Sequence, residues 1–140
     1  MAHALYGYDG PCRNIHGHTY SLSITLRGSV LQEANHPKNG MLIDFTEFKN
    51  TVSRTILQQF DHALVLNGLS PHKHAVRESD FEKIIYVPYQ PTCENILLDF
   101  RERLERQFPA SCEIVCMRLD ETPTSYAEWR IEDNPLEFKN

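Results

Sequence analysis

An α+β fold is predicted for this chain, because runs of period-two alternation flank a central pair of helical patterns. Tyr20, Leu22, Ile24 and Leu26 alternate with Ser21, Ser23, Thr25 and Arg27 toward one end, and residues 112–119 and 125–131 alternate toward the other. Between them, two segments repeat apolar residues at the spacing of a buried helical stripe. The order strand, strand, helix, helix, strand, strand implies an antiparallel four-stranded sheet with both helices inserted between its second and third strands and packed on one face. The 140 residues read as one domain, with no repeat, low-complexity tract or dividing linker.

Each element has its own signal. After the first strand, residues 28–39 carry Gly, Pro, Asn and charge, and Met41, Leu42 and Ile43 are expected to return as a short second strand across a long hairpin loop. Asp44 then has the position of an N-cap, with Glu47 as its capping-box partner, ahead of the stripe Phe45, Phe48, Val52, Ile56 and Phe60. The second helix starts at Pro91 and Thr92, with Thr92 as N-cap, Glu94 opposing the dipole in the first turn, and Cys93, Ile96, Leu97, Phe100 and Leu104 as its buried face. Residues 84–87 are apolar enough for an extra short strand or an extended connection. Pro123 marks the turn before the last strand, whose inner face is Ala127, Trp129 and Ile131, and the residues beyond are expected to be peripheral.

The chemistry concentrates at Cys12-Arg13-Asn14-Ile15-His16-Gly17-His18. In an extended segment, residues i and i+2 point to one face, so His16 and His18 can converge on one ion. Gly17 lacks a side chain on the opposite face, which allows a close neighbour there. Neutral imidazoles suit zinc, and catalytic zinc usually keeps three protein ligands and one open position. Spacing alone does not choose the third ligand among His3, His36, His62, His72 and His74.

Bulk properties narrow the partners. A net charge of −5 argues against a general nucleic-acid binder, no apolar run reaches the length of a membrane span, and the beginning of the chain lacks a signal-peptide pattern, so a soluble cytoplasmic protein is expected. The four cysteines do not form a disulfide-scaffold pattern. Cys112 and Cys116, roughly 13 Å apart along a strand, are too distant to bridge, and with Cys93 they read as core residues. Only Cys12 lies in a polar loop beside the histidines. Edge strands of such a sheet are often covered by assembly, so a homo-oligomer is expected.

Several signals then fall in one order: Ala2-His3, Cys12-x3-His16-Gly17-His18, residues 40–45 reading Gly-Met-Leu-Ile-Asp-Phe, Asp61-His62, Pro91-Thr92-Cys93-Glu94-Asn95 and Glu121-Thr122. Together they resemble the 6-pyruvoyltetrahydropterin synthase and 6-carboxytetrahydropterin synthase family over nearly the whole chain, and the short Cys-x3-His spacing favours the bacterial carboxytetrahydropterin branch. The resemblance implies a tunnelling fold that assembles into trimers and usually hexamers, with active sites between subunits. It further implies that His3, His16 and His18 bind Zn2+, that Cys12 is the catalytic base, and that Asp61 and His62 complete the proton-transfer group. Glu121 would anchor the pterin, with Thr92 and Glu94 as further substrate contacts.

Each implied role has a physical rationale and a plainer rival. Zinc on three neutral histidines can polarise substrate oxygens, and a Cys12 thiolate can then accept a carbon-bound proton, its rivals being a free loop thiol or a fourth zinc ligand that would close the site. Asp61 can orient His62, although a helix-end histidine beside a turn residue is the plainer reading. Glu121 can accept the pterin amino group and ring N–H with two oxygens, or be a solvated acid before a turn. Thr92 and Glu94 already have capping explanations. Arg13 is a candidate partner for a triphosphate, or a surface arginine. The implied reaction converts 7,8-dihydroneopterin triphosphate to 6-carboxytetrahydropterin, acetaldehyde and triphosphate in queuosine or deazapurine precursor synthesis. The alternatives are pyruvoyltetrahydropterin synthesis from the same substrate, or a zinc- or pterin-binding assembly module without catalysis. Family members have a strand leading into the first zinc histidine, whereas in this sequence Met1 and Ala2 precede His3, so His3 is expected in a short, frayed end unless further residues lie upstream or neighbours pin it. Residues 68–90 also exceed the length found in compact members.

Overall fold

The alternating run after the histidines forms the strand it predicts. In chain order the elements are β1 (Ala2–His3), β2 (His16–Gly17), β3 (Ser21–Gly28), α1 (Phe45–Val52), β4 (Leu64–Asn67), α2 (His72–Ala75), β5 (Ile84–Val87), α3 (Cys93–Leu104), β6 (Cys112–Thr122) and β7 (Ser125–Arg130). The computed structural model describes residues 1–134, and of the residues after 131 that are expected to be peripheral, 135–140 lie outside the described residues.

The fold class is α+β, but the sheet differs from the one expected. Strands β3, β6 and β7 form a three-stranded antiparallel sheet, and β2, β1, β4 and β5 form a second, mixed sheet in that spatial order. β1 runs antiparallel to β2 and parallel to β4, and β4 runs parallel to β5. The missing member of the predicted antiparallel sheet is 41–43. Leu31 N–H donates to the Met41 carbonyl at 2.9 Å and Gly40 N–H to the Leu31 carbonyl at 2.7 Å, which closes the long loop by one bridge. Gly40, at φ 84°, turns the chain, and the helix cap follows at once, leaving no length for a ladder.

Asp44 caps α1, accepting from Thr46 N–H at 2.7 Å and Glu47 N–H at 3.4 Å. The reciprocal half of the capping box is absent, because the Glu47 carboxylate accepts from Lys38 Nζ at 2.9 Å instead. The predicted stripe advances by four residues from Phe48 to Val52, Ile56 and Phe60, and each step overshoots an α-turn of 3.6 residues. A π-helical stretch, Ser53–Leu57, absorbs the overshoot before a last turn, Gln58–Phe60, so Ile56 and Phe60 both stay buried. Phe45 escapes the stripe and is 80% exposed.

α3 packs across β6 and β7 through Ile96, Leu97, Phe100 and Leu104. The Phe60 ring meets Phe100 edge-on at 4.8 Å, which ties the helical turn Gln58–Phe60 to α3. Ala127 and Trp129 supply the inner face of β7 as expected. In β6, register against β3 shifts between Thr25 and Leu26, which pair with Cys116 and Ile114. Val115 is therefore an extra residue, and the buried set changes phase from Ile114 to Met117 and Leu119. This removes Cys116 from the inner row, contrary to its reading as core. It also puts Glu121 in phase with Met117 and Leu119.

Candidate metal centre and adjoining groove

Three imidazoles meet where β1 lies beside β2. His3 pairs in register with His16, and His18 follows one residue past β2, so strand pairing and the i, i+2 rule deliver all three rings to one place. Ring centroids are 4.5 Å apart for His3 and His16, 5.0 Å for His16 and His18 and 5.7 Å for His3 and His18. One nitrogen from each lies within 4.8 Å of the others. A Cβ on Gly17 would meet Met1 O at 3.5 Å, an ordinary contact, so the strand approach does not require glycine there.

His3 is held firmly despite its place two residues into the chain. It is 2% exposed, lies between β2 and β4, and its neighbour Ala2 donates N–H to the Ala63 carbonyl at 2.8 Å. A carbonyl can only accept, so His3 Nδ1–H donates to Pro91 O at 2.6 Å and His16 Nδ1–H donates to Asn14 O at 2.8 Å. These bonds place a proton on Nδ1 of both rings and turn Nε2 of both toward the cluster, where the Tyr20 hydroxyl lies 3.3 Å from His3 Nε2. Burial is the main cause lowering the His3 pKa, which favours the neutral ring. His16 Nε2 is buried with no hydrogen-bond partner. A partnerless ring nitrogen in a cluster of three imidazoles fits a metal ion, and His3, His16 and His18 can hold one.

Glu121 reaches this cluster. Its Oε1 lies 3.4 Å from His3 Nε2 and 3.9 Å from His18 Nε2, and it accepts from the Tyr20 hydroxyl at 2.9 Å. A second register shift, between Asp120 and Thr122, places Glu121 itself at a bulge against β7. Burial, then the Glu121 carboxylate, pushes the Tyr20 phenol pKa up, so the hydroxyl keeps its proton. Sequence reasoning placed Tyr20 only among the core-facing residues of its strand; the same period-two rule that pairs His16 with His18 carries on to Tyr20.

The remaining residues lie around this centre. Asp61 ends the last turn of the first helix, and His62 follows with φ 59°, its Nδ1 3.1 Å from Asp61 Oδ1. That left-handed conformation is unusual for a non-glycine residue, and it turns a 92% exposed imidazole outward. Both residues line a groove of about 380 Å³ with His18, Tyr20, Phe60 and Leu119. Cys12 is in a 3-10 turn (Pro11–Arg13) and is partly buried, and its carbonyl accepts Leu5 N–H at 2.9 Å.

Thr92 caps α3 by accepting Asn95 N–H at 3.3 Å, while Glu94 is exposed in the first turn. Cys93, between them, donates its thiol to the Leu119 carbonyl at 3.3 Å, and burial raises its pKa to about 11. The structure thus brings His3, His16, His18 and Glu121 together and sets Asp61 and His62 on the adjoining groove. Thr92 and Glu94 remain on the helix start, joined to the centre through the neighbouring Pro91 carbonyl.

Comparison with known proteins identifies the family and the fold. The family model described as 6-pyruvoyl tetrahydropterin synthase matches residues 1–132. A 6-carboxy-5,6,7,8-tetrahydropterin synthase from Haemophilus influenzae is 35% identical over 133 residues, covering 93% of this chain and 92% of its own. One from Aquifex aeolicus is 28% identical over 130 residues, covering 86% and 76%. Among solved structures, an uncharacterised protein from Wolinella succinogenes superposes with a TM-score of 0.69 at 20% identity over 92% of this chain and 91% of its own. The 6-pyruvoyl tetrahydropterin synthase of Plasmodium vivax does so with a TM-score of 0.64 at 22% identity, over 91% and 87%, and both show the shared fold. With a match from the first residue to the 132nd and a 35% identical relative of nearly equal extent, the chain belongs to the 6-pyruvoyl tetrahydropterin synthase family.

Proposed function

We propose that the protein converts 7,8-dihydroneopterin triphosphate to 6-carboxy-5,6,7,8-tetrahydropterin, acetaldehyde and triphosphate, with Zn2+ held by His3, His16 and His18. The observation that carries this reading is the 35% identity, over nearly all of both chains, to the Haemophilus protein of that name. The three-histidine cluster with its partnerless Nε2 supports the zinc-dependent form.

Bound zinc would supply Lewis acidity to an oxygen of the substrate side chain, making the neighbouring C–H bonds more acidic. Cys12, as thiolate, accepts the proton released from carbon. Asp61 Oδ1 holds His62 at Nδ1, which leaves the other ring nitrogen to move a proton. Glu121 binds the pterin amino group and ring N–H, and Thr92 and Glu94 give weaker contacts at the start of α3.

A pair as exposed as Asp61 and His62 works in proton transfer only where water is excluded, which a second copy of the chain would do. The free edge of β3 and the apolar groove of about 720 Å³ beside it, which includes Met41 and the exposed Phe45, support such a homo-oligomer, a trimer or hexamer with sites between subunits. Among the described residues no helix is long and apolar enough to cross a membrane, and a cytoplasmic place in queuosine precursor synthesis goes with the proposed reaction. The test is to incubate metal-loaded protein with the substrate and resolve products by mass spectrometry, alongside Cys12→Ala. Acetaldehyde with carboxytetrahydropterin, lost in the variant, is expected. Pyruvoyltetrahydropterin would replace this reading with the other branch of the family, and no turnover by metal-bound protein would leave a binding module.

A further inference from the structure

The edge of the metal centre holds more acceptors than protons. His3 Nε2 and Glu121 Oε1 lie 3.4 Å apart with no proton of their own between them, since Nδ1–H of His3 is committed to Pro91 O. Among the described residues, the only hydroxyl hydrogen-bonded to either is that of Tyr20, 2.9 Å from Glu121 Oε1 and 3.3 Å from His3 Nε2. Its one proton goes to the carboxylate, where the bond is shorter and charge-assisted. Glu121 is also off-centre. Its oxygen approaches His3 and His18, but it is not part of the group of donor atoms that all lie within 4.8 Å of one another.

A carboxylate this close to three ligands of a dication would be drawn onto the ion unless something else held it. We propose that Tyr20 is a positioning residue whose hydroxyl restrains the Glu121 carboxylate at the rim of the metal centre, so that Glu121 reads the substrate instead of becoming a fourth protein ligand. This rests on the proposed reading of His3, His16, His18 and Glu121. The Tyr20 ring is itself wedged against the cluster, edge-on to His3 at 6.0 Å and to His18 at 5.7 Å, so the hydroxyl has little freedom to leave. Removing that hydroxyl would free the Glu121 carboxylate to join His3, His16 and His18 in holding the ion.

Tyr20→Phe keeps the ring and deletes only the donor. The protein is loaded with Co2+ as a spectroscopic stand-in, and wild type, Tyr20→Phe, Glu121→Gln and Tyr20→Phe/Glu121→Gln are compared by visible d–d absorption and by chelator competition. In Tyr20→Phe the bands are expected to shift and the metal to bind as tightly as in wild type or tighter. The double variant should return to the spectrum of Glu121→Gln, since the shift needs the carboxylate. Turnover in Tyr20→Phe should fall about 10- to 100-fold, the scale for loss of an outer-shell partner. A Tyr20→Phe spectrum identical to wild type, or a shift that persists in the double variant, overturns the positioning role while leaving the metal site intact. Failure of wild type to bind Co2+ overturns the reading of the site and this inference with it.

Discussion

Replacing Thr92 by Ala separates its two candidate roles, helix cap and substrate contact. The hydroxyl accepts Asn95 N–H at 3.3 Å, and the Asn95 side chain in turn donates to the Gln90 carbonyl at 3.0 Å, so the substitution strands one backbone donor at a partly buried helix start. Loss of an N-cap of this kind costs roughly 0.5–2 kcal/mol, and the long bond points to the lower half of that range, about 1 kcal/mol. For a chain of this size that is a fall of roughly 3–5 °C in melting temperature. The adjacent Pro91 carbonyl accepts His3 Nδ1–H at 2.6 Å, so slackness at the cap reaches the metal centre as well. Because that bond is disturbed and not deleted, zinc affinity should weaken by about tenfold at most, the low end for an outer-shell change. Thermal unfolding of metal-free protein, chelator competition and the KM for the pterin substrate test this together. Unchanged melting with a tenfold or larger rise in KM would refute the capping argument and assign the hydroxyl to substrate.

Other expectations follow from single contacts. His16→Ala should abolish stoichiometric zinc after dialysis while the circular dichroism stays native, because His16 is only partly buried; one retained zinc per chain would mean another ligand set. Phe60→Ala, which removes the ring seated on Phe100, should cost about 3–5 kcal/mol in urea unfolding, and a loss below 1 kcal/mol would show that the contact is not part of the core. Cys93, with its thiol raised to about 11 from 9.0, holds about a hundredfold less thiolate near pH 8 than an ordinary thiol and should alkylate correspondingly slowly until urea is added. Since the native state then binds more protons than the unfolded one between pH 9 and 11, this group's contribution to stability falls as pH rises through that window; fast native labelling at Cys93 would contradict the burial.

Much of this was legible in order and spacing. β3, β6, β7, the caps at Asp44 and Thr92 and the inner face of α3 follow from alternation, from N-cap residues and from a 3.6-residue period. β4 was not, because Leu64–Asn67 is a short buried run in a parallel pairing and so has no alternation to read. β1 is two residues long and exists through its neighbours alone. The segment 41–43 has strand composition but no room to pair. At the centre, the histidines and Glu121 were visible as residue types in a family order. The fixed tautomers, the partnerless Nε2 and the Tyr20 bond depend on where carbonyls of Asn14 and Pro91 end up after folding.

Val115 carries a consequence of another kind. As the extra residue in β6, it sets the parity of everything downstream, so the side that Glu121 faces depends on how many residues precede it and not on which residue occupies position 115. Point substitutions at the partly buried position 115 would leave that count unchanged. Removing a single residue there would exchange the row Met117, Leu119 and Glu121 for the row Arg118, Asp120 and Thr122, so the placement of Glu121 beside the three histidines is encoded in part by a count, one that scanning mutagenesis cannot detect.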